Sequence, residues 1–275
     1  MKNSRICGGG LIAILACVMA LLPPRASADT VLVTGANSGI GLEFAKEYAA
    51  RGWTVIATHR RDDMPETLKA LSQQYKTVRV EKMDVTSREQ IASLVERLKG
   101  TPIDVLINNA GVFVLGGANG QWNNAGAHYD GQMFGTLDYD QFDTFMKTNV
   151  AGPAHVTEAF LPLLKASKQK KIVSISSSNG QITGKPLCCG LIWYRTSKAA
   201  LNKLMIQVAA VLKKEGVTVV LFNPGAVRVE KQKDLEFPGM IETPKAVAGM
   251  IDAIGKVTLA DAGKFMQYDG SEQPW

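Results

Sequence analysis

The chain is poor in cysteine and histidine, which removes two common ways of building a site. It has four Cys and three His among 275 residues. Cys7 and Cys17 lie near the start, so only Cys188 and Cys189 remain, side by side. Adjacent cysteines meet disulfide geometry only with strain. Two free thiols along a loop are therefore expected, and no disulfide framework. His59, His128 and His155 show no ligand spacing, so no metal site is expected. Also missing is the charge excess that nucleic acid demands. Formal net charge is +6, and half of it, from Lys2, Arg5 and Arg25, precedes Asp29, the first acidic residue. No basic run or aromatic-interleaved patch follows, which excludes a nucleic-acid partner. No internal linker marks a second domain. What is present, 46% hydrophobic and 20% charged residues, is the composition of a soluble globular protein.

The N-terminus stands apart. Lys2 and Arg5 precede an apolar run, Leu11 to Leu22, and Ala26-Ser27-Ala28 offers a small-x-small cleavage site. This is the secretory order, and the run is short for a membrane span. Residues 1–28 are expected to be a signal peptide or leader, with 29–275 as one domain, periplasmic or secreted. The competing reading is a start at Met19, which leaves a cytoplasmic chain. Ile14 to Cys17 faintly matches a lipoprotein box, but the apolar run continues past Cys17.

Thr30-Val-Leu-Val-Thr34 reads as a strand, Gly35-Ala-Asn37-Ser38-Gly39-Ile40-Gly41 as a glycine-rich turn, and Leu42 to Ala50 as a helix. In that context glycines let the backbone approach a pyrophosphate, and the helix start presents free N–H groups to it. A plain tight turn is the alternative. Trp53 to Thr58 is a second strand, whose end should meet the adenosine ribose. An NAD-binding chain usually has a carboxylate there. This one has Thr58, His59, Arg60 and Arg61. Without the carboxylate a 2′-phosphate is not repelled, and Arg60 can pair with it. NADP(H) is favoured over NAD(H), against a reading of solvated loop charge partly offset by Asp62 and Asp63.

Further strands are read at Val78–Val80 with Met83, ending in Asp84-Val85, and at Ile103–Ile107, closed by Asn108-Asn109-Ala110-Gly111. Ile91, Leu94, Val95 and Leu98 have helical spacing between them. A second Asn-Asn-Ala-Gly, at 123–126, follows no strand and is taken as coincidence. Phe113 to Phe134, rich in Gly, Asn and Gln, reads as a long surface loop, either a substrate lid or a disordered insertion. Tyr139 to Lys165 is a long helical pattern in which Pro153 frees the backbone carbonyl of Asn149, so a kink is expected there. Lys171 to Ser176 is a strand that delivers Ser177 to the ligand side of an open parallel sheet. Val217 to Phe222 is another, followed by Asn223-Pro224-Gly225. Val227 to Pro238 is expected to be a flap. Thr243 to Ile254 is a last helix, and Lys264 to Tyr268 a last strand.

Tyr194 and Lys198, at the head of an apolar helical run, lie one turn apart on one face. An ammonium beside a phenol is expected to lower the phenol pKa below about 10, so that Tyr194 can pass a proton. Taken alone, the pair reads first as an exposed helix pair, and only the rest of the sequence lifts it.

Together these motifs resemble the short-chain dehydrogenase/reductase family, from about Thr30 to the C-terminus. Thr34 to Gly41 matches its cofactor loop, Asp84-Val85 its adenine contact, and Asn108 to Gly111 its central strand end. Asn149, Ser177, Tyr194 and Lys198 match its catalytic tetrad in order, and Pro224-Gly225 its nicotinamide-side turn, with Val227 following. The closing Tyr268 to Trp275 looks like the end of C-factor-type members. The resemblance implies a Rossmann-type doubly wound α/β sheet. It implies hydride transfer between a nicotinamide and a small-molecule carbonyl or alcohol, with Tyr194 as acid and Ser177 as its partner at the substrate oxygen. Lys198 would hold the nicotinamide ribose, and a water on the Asn149 carbonyl would extend the proton path. It also implies assembly as a dimer or tetramer through two long helices. Three positions depart from the pattern. Ser38 stands where many NADP-using members carry a basic residue, Val229 where a Thr is usual, and the leader is uncommon. The alternative class is a non-catalytic dinucleotide-binding or signalling protein of the same fold.

Overall fold

A computed structural model describes residues 28–113, 131–183, 190–229 and 238–275. The apolar leader through Ser27, the second Asn-Asn-Ala-Gly, His128, Cys188 and Cys189 lie outside the described residues, as do most of the Phe113–Phe134 and Val227–Pro238 stretches.

Nine strands are described: β1 (Thr30–Val33), β2 (Thr54–His59), β3 (Val78–Lys82), β4 (Val105–Asn108), β5 (Lys171–Ile175), β6 (Thr218–Asn223), β7 (Ala226–Arg228), β8 (Met240–Glu242) and β9 (Phe265–Gln267). Seven of them form one sheet in the order β3-β2-β1-β4-β5-β6-β9, parallel throughout. This is the doubly wound order, and it reverses direction between β1 and β4. The crevice at the carboxyl ends of those two strands is where such sheets take ligands.

Helices α1 (Gly39–Ala50), α2 (Glu66–Gln74), α3 (Arg88–Arg97), α4 (Tyr139–Met146), α5 (Gly152–Lys165), α6 (Ile192–Leu212) and α7 (Thr243–Lys256) flank the sheet. Successive strand residues point to opposite faces. In β1, Val31 and Val33 therefore join a core with Phe44 and Tyr48 of α1, Leu68 of α2 and Met250 of α7. Leu32 between them joins a second core with Leu94 of α3, Phe160 of α5 and Met205 of α6. Burial on both faces explains why the inner strands read as unbroken apolar runs. All this makes one Rossmann-type domain.

Two local outcomes differ from the sequence expectation. Helix α2 was not anticipated: Leu68 and Leu71 are its only buried residues, too few to set a visible period. Of the stretch read as a flap, Val227 and Arg228 belong to β7, which pairs in parallel with β8, and residues 230–237 lie outside the described residues. The kink expected at Pro153 takes the form of a π turn over Lys147–Ala151 between α4 and α5. Pro153 then sits in the first turn of α5, where its missing N–H costs little.

Candidate active site

The β1–α1 loop is stitched to both neighbouring strands. The Ala36 amide donates to the Thr58 carbonyl at the end of β2, 2.8 Å. The Thr34 hydroxyl accepts from the amides of Asn109 and Ala110, each at 3.0 Å. Asn109 Nδ2 donates to the carbonyls of Thr34 and Gly35, at 2.9 and 3.1 Å. Two glycines make this possible. Gly35 has φ +65° and lies against Ala110, where a Cβ would come within 2.9 Å of Cα. A Cβ on Gly41 would stand 2.4 Å from both Asn109 Nδ2 and the Gly35 carbonyl oxygen. Ser38, the residue before α1, makes no side-chain cap, so its hydroxyl does not compete with an anion at the first turn. Thr67 of α2 holds the Asn37 carbonyl from outside, 2.8 Å.

Along the rim, Arg60 is exposed just beyond β2 and has no ion-pair partner among the described residues. Asp62, expected to offset the arginines, turns to Lys82 at 2.6 Å instead. Asp84 Oδ1 accepts from the amide and hydroxyl of Thr86, both at 2.8 Å. Val85 is buried beneath Gly152, whose Cβ would come within 2.9 Å of it. On the far side, the Gly225 amide donates to Asn223 Oδ1 at 3.2 Å, and Val227 is buried in β7. Val229 stands over the cofactor loop, 3.3 Å from where a Cβ of Gly39 would be. The set fits a dinucleotide phosphate: a glycine cradle without room for side chains, an uncapped helix start, and, among the described residues, an unpaired guanidinium just beyond β2.

The candidate tetrad comes together where β4, β5 and α6 meet. Lys198 is buried, and its Nζ donates to the Ile175 carbonyl at 2.8 Å. It lies 5.7 Å from the centre of the Tyr194 ring, and 3.8 Å from where a Cβ of Gly111 would be. The Ser177 side chain lies beside the Tyr194 phenol, and Ser177 Oγ accepts from the Asn179 amide at 3.1 Å. Asn149 uses its whole side chain as a clasp. Its Oδ1 accepts from Val112 N–H at 2.8 Å, while Nδ2 donates to Val112 O and Ser197 Oγ, each at 2.9 Å. Ser197 Oγ in turn donates to the Tyr194 carbonyl at 2.7 Å.

The electrostatics correct one expectation. Burial pushes the Tyr194 phenol up to about 12, only partly opposed by the Ser177 hydrogen bond. Burial also pulls the Lys198 amine down to about 8. The ammonium was expected to lower the phenol pKa. Loss of water disfavours the charged form of each group.

Trp193, the second residue of α6, turns to α4. Its ring meets Tyr139 and Phe142 edge-on at 5.5 and 5.2 Å, and its Nε1 donates to the Asp138 carbonyl at 2.9 Å. Phe113 instead stands edge-on to Tyr194, with ring centres 4.7 Å apart. Four contributors escaped the sequence reading: the Thr34 hydroxyl, Ser197, Asn179 and Gln132. Thr34 lay inside a recognised motif. The others carried no periodic or spacing signal. Among the described residues no group of three His, Cys, Asp or Glu could hold a metal, and no helix is long and apolar enough to cross a membrane.

The short chain dehydrogenase family model matches residues 29–237. The chain is 32% identical to 1-hydroxy-2-glutathionyl-2-methyl-3-butene dehydrogenase of Rhodococcus sp. (strain AD45), over 90% of this chain and all of that one. It is 33% identical to C-signal of Myxococcus xanthus, over 63% of this chain and 93% of the relative. The crystal structure of NADPH-bound carbonyl reductase from chicken fatty liver superposes with a TM-score of 0.76 at 28% identity, covering 90% and 99% of the two chains. With its parallel sheet, glycine cradle and Tyr–Lys helix, the chain belongs to the short-chain dehydrogenase/reductase family and is an oxidoreductase.

Proposed function

We propose that the protein is an NADP(H)-dependent oxidoreductase that interconverts a small-molecule carbonyl and its alcohol, with Tyr194 as the acid/base group. The observation that carries this reading is the buried Lys198 amine 5.7 Å from the centre of the Tyr194 ring, with Ser177 brought beside them just beyond β5. Gly35, Gly39, Gly41 and the first turn of α1 would hold the pyrophosphate, and Asp84 and Val85 would meet the adenine. Asn109 to Gly111 and Pro224 to Val227 would flank the nicotinamide half. When bound, the dinucleotide supplies or accepts the hydride. Tyr194 Oη gives its proton to the carbonyl oxygen during reduction. A phenol held near 12 stays protonated at ordinary pH, which suits it to donate. Ser177 hydrogen-bonds the same oxygen and orients it. Lys198 holds the ribose and the phenol in register. The Asn149 carbonyl, in the π turn ahead of Pro153, holds a water on the proton's way to solvent.

Two features support NADP(H): β2 ends in Thr58 and His59 rather than in a carboxylate, and Arg60 has no ion-pair partner among the described residues. The NADPH-bound chicken carbonyl reductase is consistent with it. The test is an NADPH fluorescence titration with a panel of aldehydes and ketones. Tyr194→Phe should bind NADPH normally and lose about a hundredfold or more in turnover. Undiminished turnover would reject Tyr194 as the acid, and binding without turnover by the unaltered protein would support a non-catalytic binder. Arg60→Ala should weaken NADPH by about tenfold, the loss of a charge-assisted contact, and leave NADH nearly unchanged. Equal losses would remove Arg60 from the 2′-phosphate.

A further inference from the structure

Gln132 is fully buried, although it belongs to the connection between β4 and α4. Its polar atoms point in three directions. Nε2 donates to the Phe113 carbonyl at 3.1 Å. Oε1 accepts from the Tyr194 amide at 3.0 Å. The backbone carbonyl accepts from the Ile192 amide, also at 3.0 Å. The chain around it is folded into a hook, closed by the Asp138 amide on the Gly131 carbonyl at 3.0 Å.

The start of α6 lacks a cap of its own. Leu191 precedes it in the left-handed conformation, φ +59°, with no side-chain cap. The first amides of a helix need acceptors from elsewhere, and Gln132 supplies two of them. Only one orientation of its side-chain amide satisfies both neighbours. Exchanged, the oxygen would face the Phe113 carbonyl and the NH2 would face the Tyr194 N–H. Tyr194 is the third residue of α6, so the position of that first turn sets the position of the phenol. The same side chain fixes Phe113, whose ring borders the phenol. One buried amide thus sets the backbone of Tyr194 and the segment facing it relative to each other.

We propose that Gln132 is a positioning residue for the Tyr194 phenol, acting through the helix start. The inference rests on Tyr194 being the proton donor, so Tyr194→Phe serves as the reference variant. Gln132→Leu removes both side-chain contacts. It should lower kcat for NADPH-dependent reduction of an aldehyde about ten- to a hundredfold, the effect of a displaced reacting group. The NADPH Kd should stay within about twofold, because the hydrogen bonds of Gln132 reach none of the cradle residues.

Gln132→Glu separates positioning from general stability. A neutral carboxylic acid can still donate to Phe113 and accept from Tyr194, whereas the ionised form has no proton for Phe113. Its kcat should approach that of the unaltered protein at acid pH and fall as pH rises. Wild-type kcat for Gln132→Leu, or a Gln132→Glu profile parallel to that of the unaltered protein, overturns the proposal. If Gln132→Leu fails to fold, the Gln132→Glu profile decides alone. If Tyr194→Phe is inactive while Gln132→Leu is normal, only the positioning role falls. If Tyr194→Phe is active, the reading beneath it falls too.

Discussion

At the scale of single residues, the pair Tyr194 and Lys198 shows what spacing can and cannot tell. Their separation by one helical turn put them on the same face, and the structure brings them together as expected. The sign of the phenol shift was not legible, because it depends on how much protein closes over both groups. That closure comes from Phe113 and from strand ends far away in sequence. The result has a consequence for pH dependence. Lys198, held near 8, is an ammonium below that value and loses its charge above it. If the charge holds the ribose, reduction should be steady at neutral pH and decline as pH rises through about 8. The decline should approach about tenfold per unit, the slope of a single ionisation. Tyr194, near 12, stays protonated throughout that range and should add no second break. A kcat/KM profile from about pH 6 to about pH 10 checks this, and a level profile would contradict it.

At the scale of elements, the strands and most helices were readable for a physical reason. Strands buried on both faces read as apolar runs. The amphipathic helices repeat their buried positions every three or four residues. Helix α2, with two buried side chains, lacks that repeat. The glycine loop was legible as a cradle, yet not the stitching that shapes it. Asn109 and Thr34 meet only after β1 and β4 pair. The stitching makes a sharp prediction. In Gly41→Ala the new methyl would collide with Asn109 Nδ2 and the Gly35 carbonyl, and neither can retreat without breaking its own bonds. Stability should fall by about 1–3 kcal/mol, the usual range for overpacking, and NADPH affinity should fall with it. Gly52→Ala is the control. Its φ is +82° but nothing lies within 4 Å, so it should lose about 1–2 kcal/mol from backbone strain alone and keep its affinity. Urea titrations paired with NADPH binding curves separate the two cases. Equal affinity losses would show that the cradle is not the phosphate site.

At the scale of the molecule, the last residues close the structure. Gln273 is buried and its side chain accepts from Asn223 Nδ2 at 3.0 Å. Trp275 stacks on Phe265, ring centres 5.2 Å apart, and its carbonyl accepts from the Thr183 amide at 3.0 Å. Gln181 Nε2 donates to the Pro274 carbonyl at 2.7 Å. The segment following Ser177 is therefore anchored to the end of the sheet. From sequence this ending could be matched to a family type, but its role could not be seen, since every partner is distant. Trp275→Ala should destabilise the fold by about 1–3 kcal/mol, less than a fully buried aromatic, and should loosen the Ser177 side of the site. Thermal melts together with the KM for a carbonyl substrate test this. A lower Tm with unchanged KM would confine Trp275 to stability.

The returning segment has one more effect. Beyond β9, the Gln267 amide donates to the Ser271 carbonyl, and the Phe265 carbonyl accepts from the Gln273 amide. The outermost strand therefore presents no unsatisfied ladder to a neighbour. At the opposite border, β3 carries Arg79 and Glu81, with Arg97 of α3 also bound to Glu81, and charge at a sheet border discourages lateral pairing. A second copy of the chain would gain little by extending the seven-stranded sheet at either border.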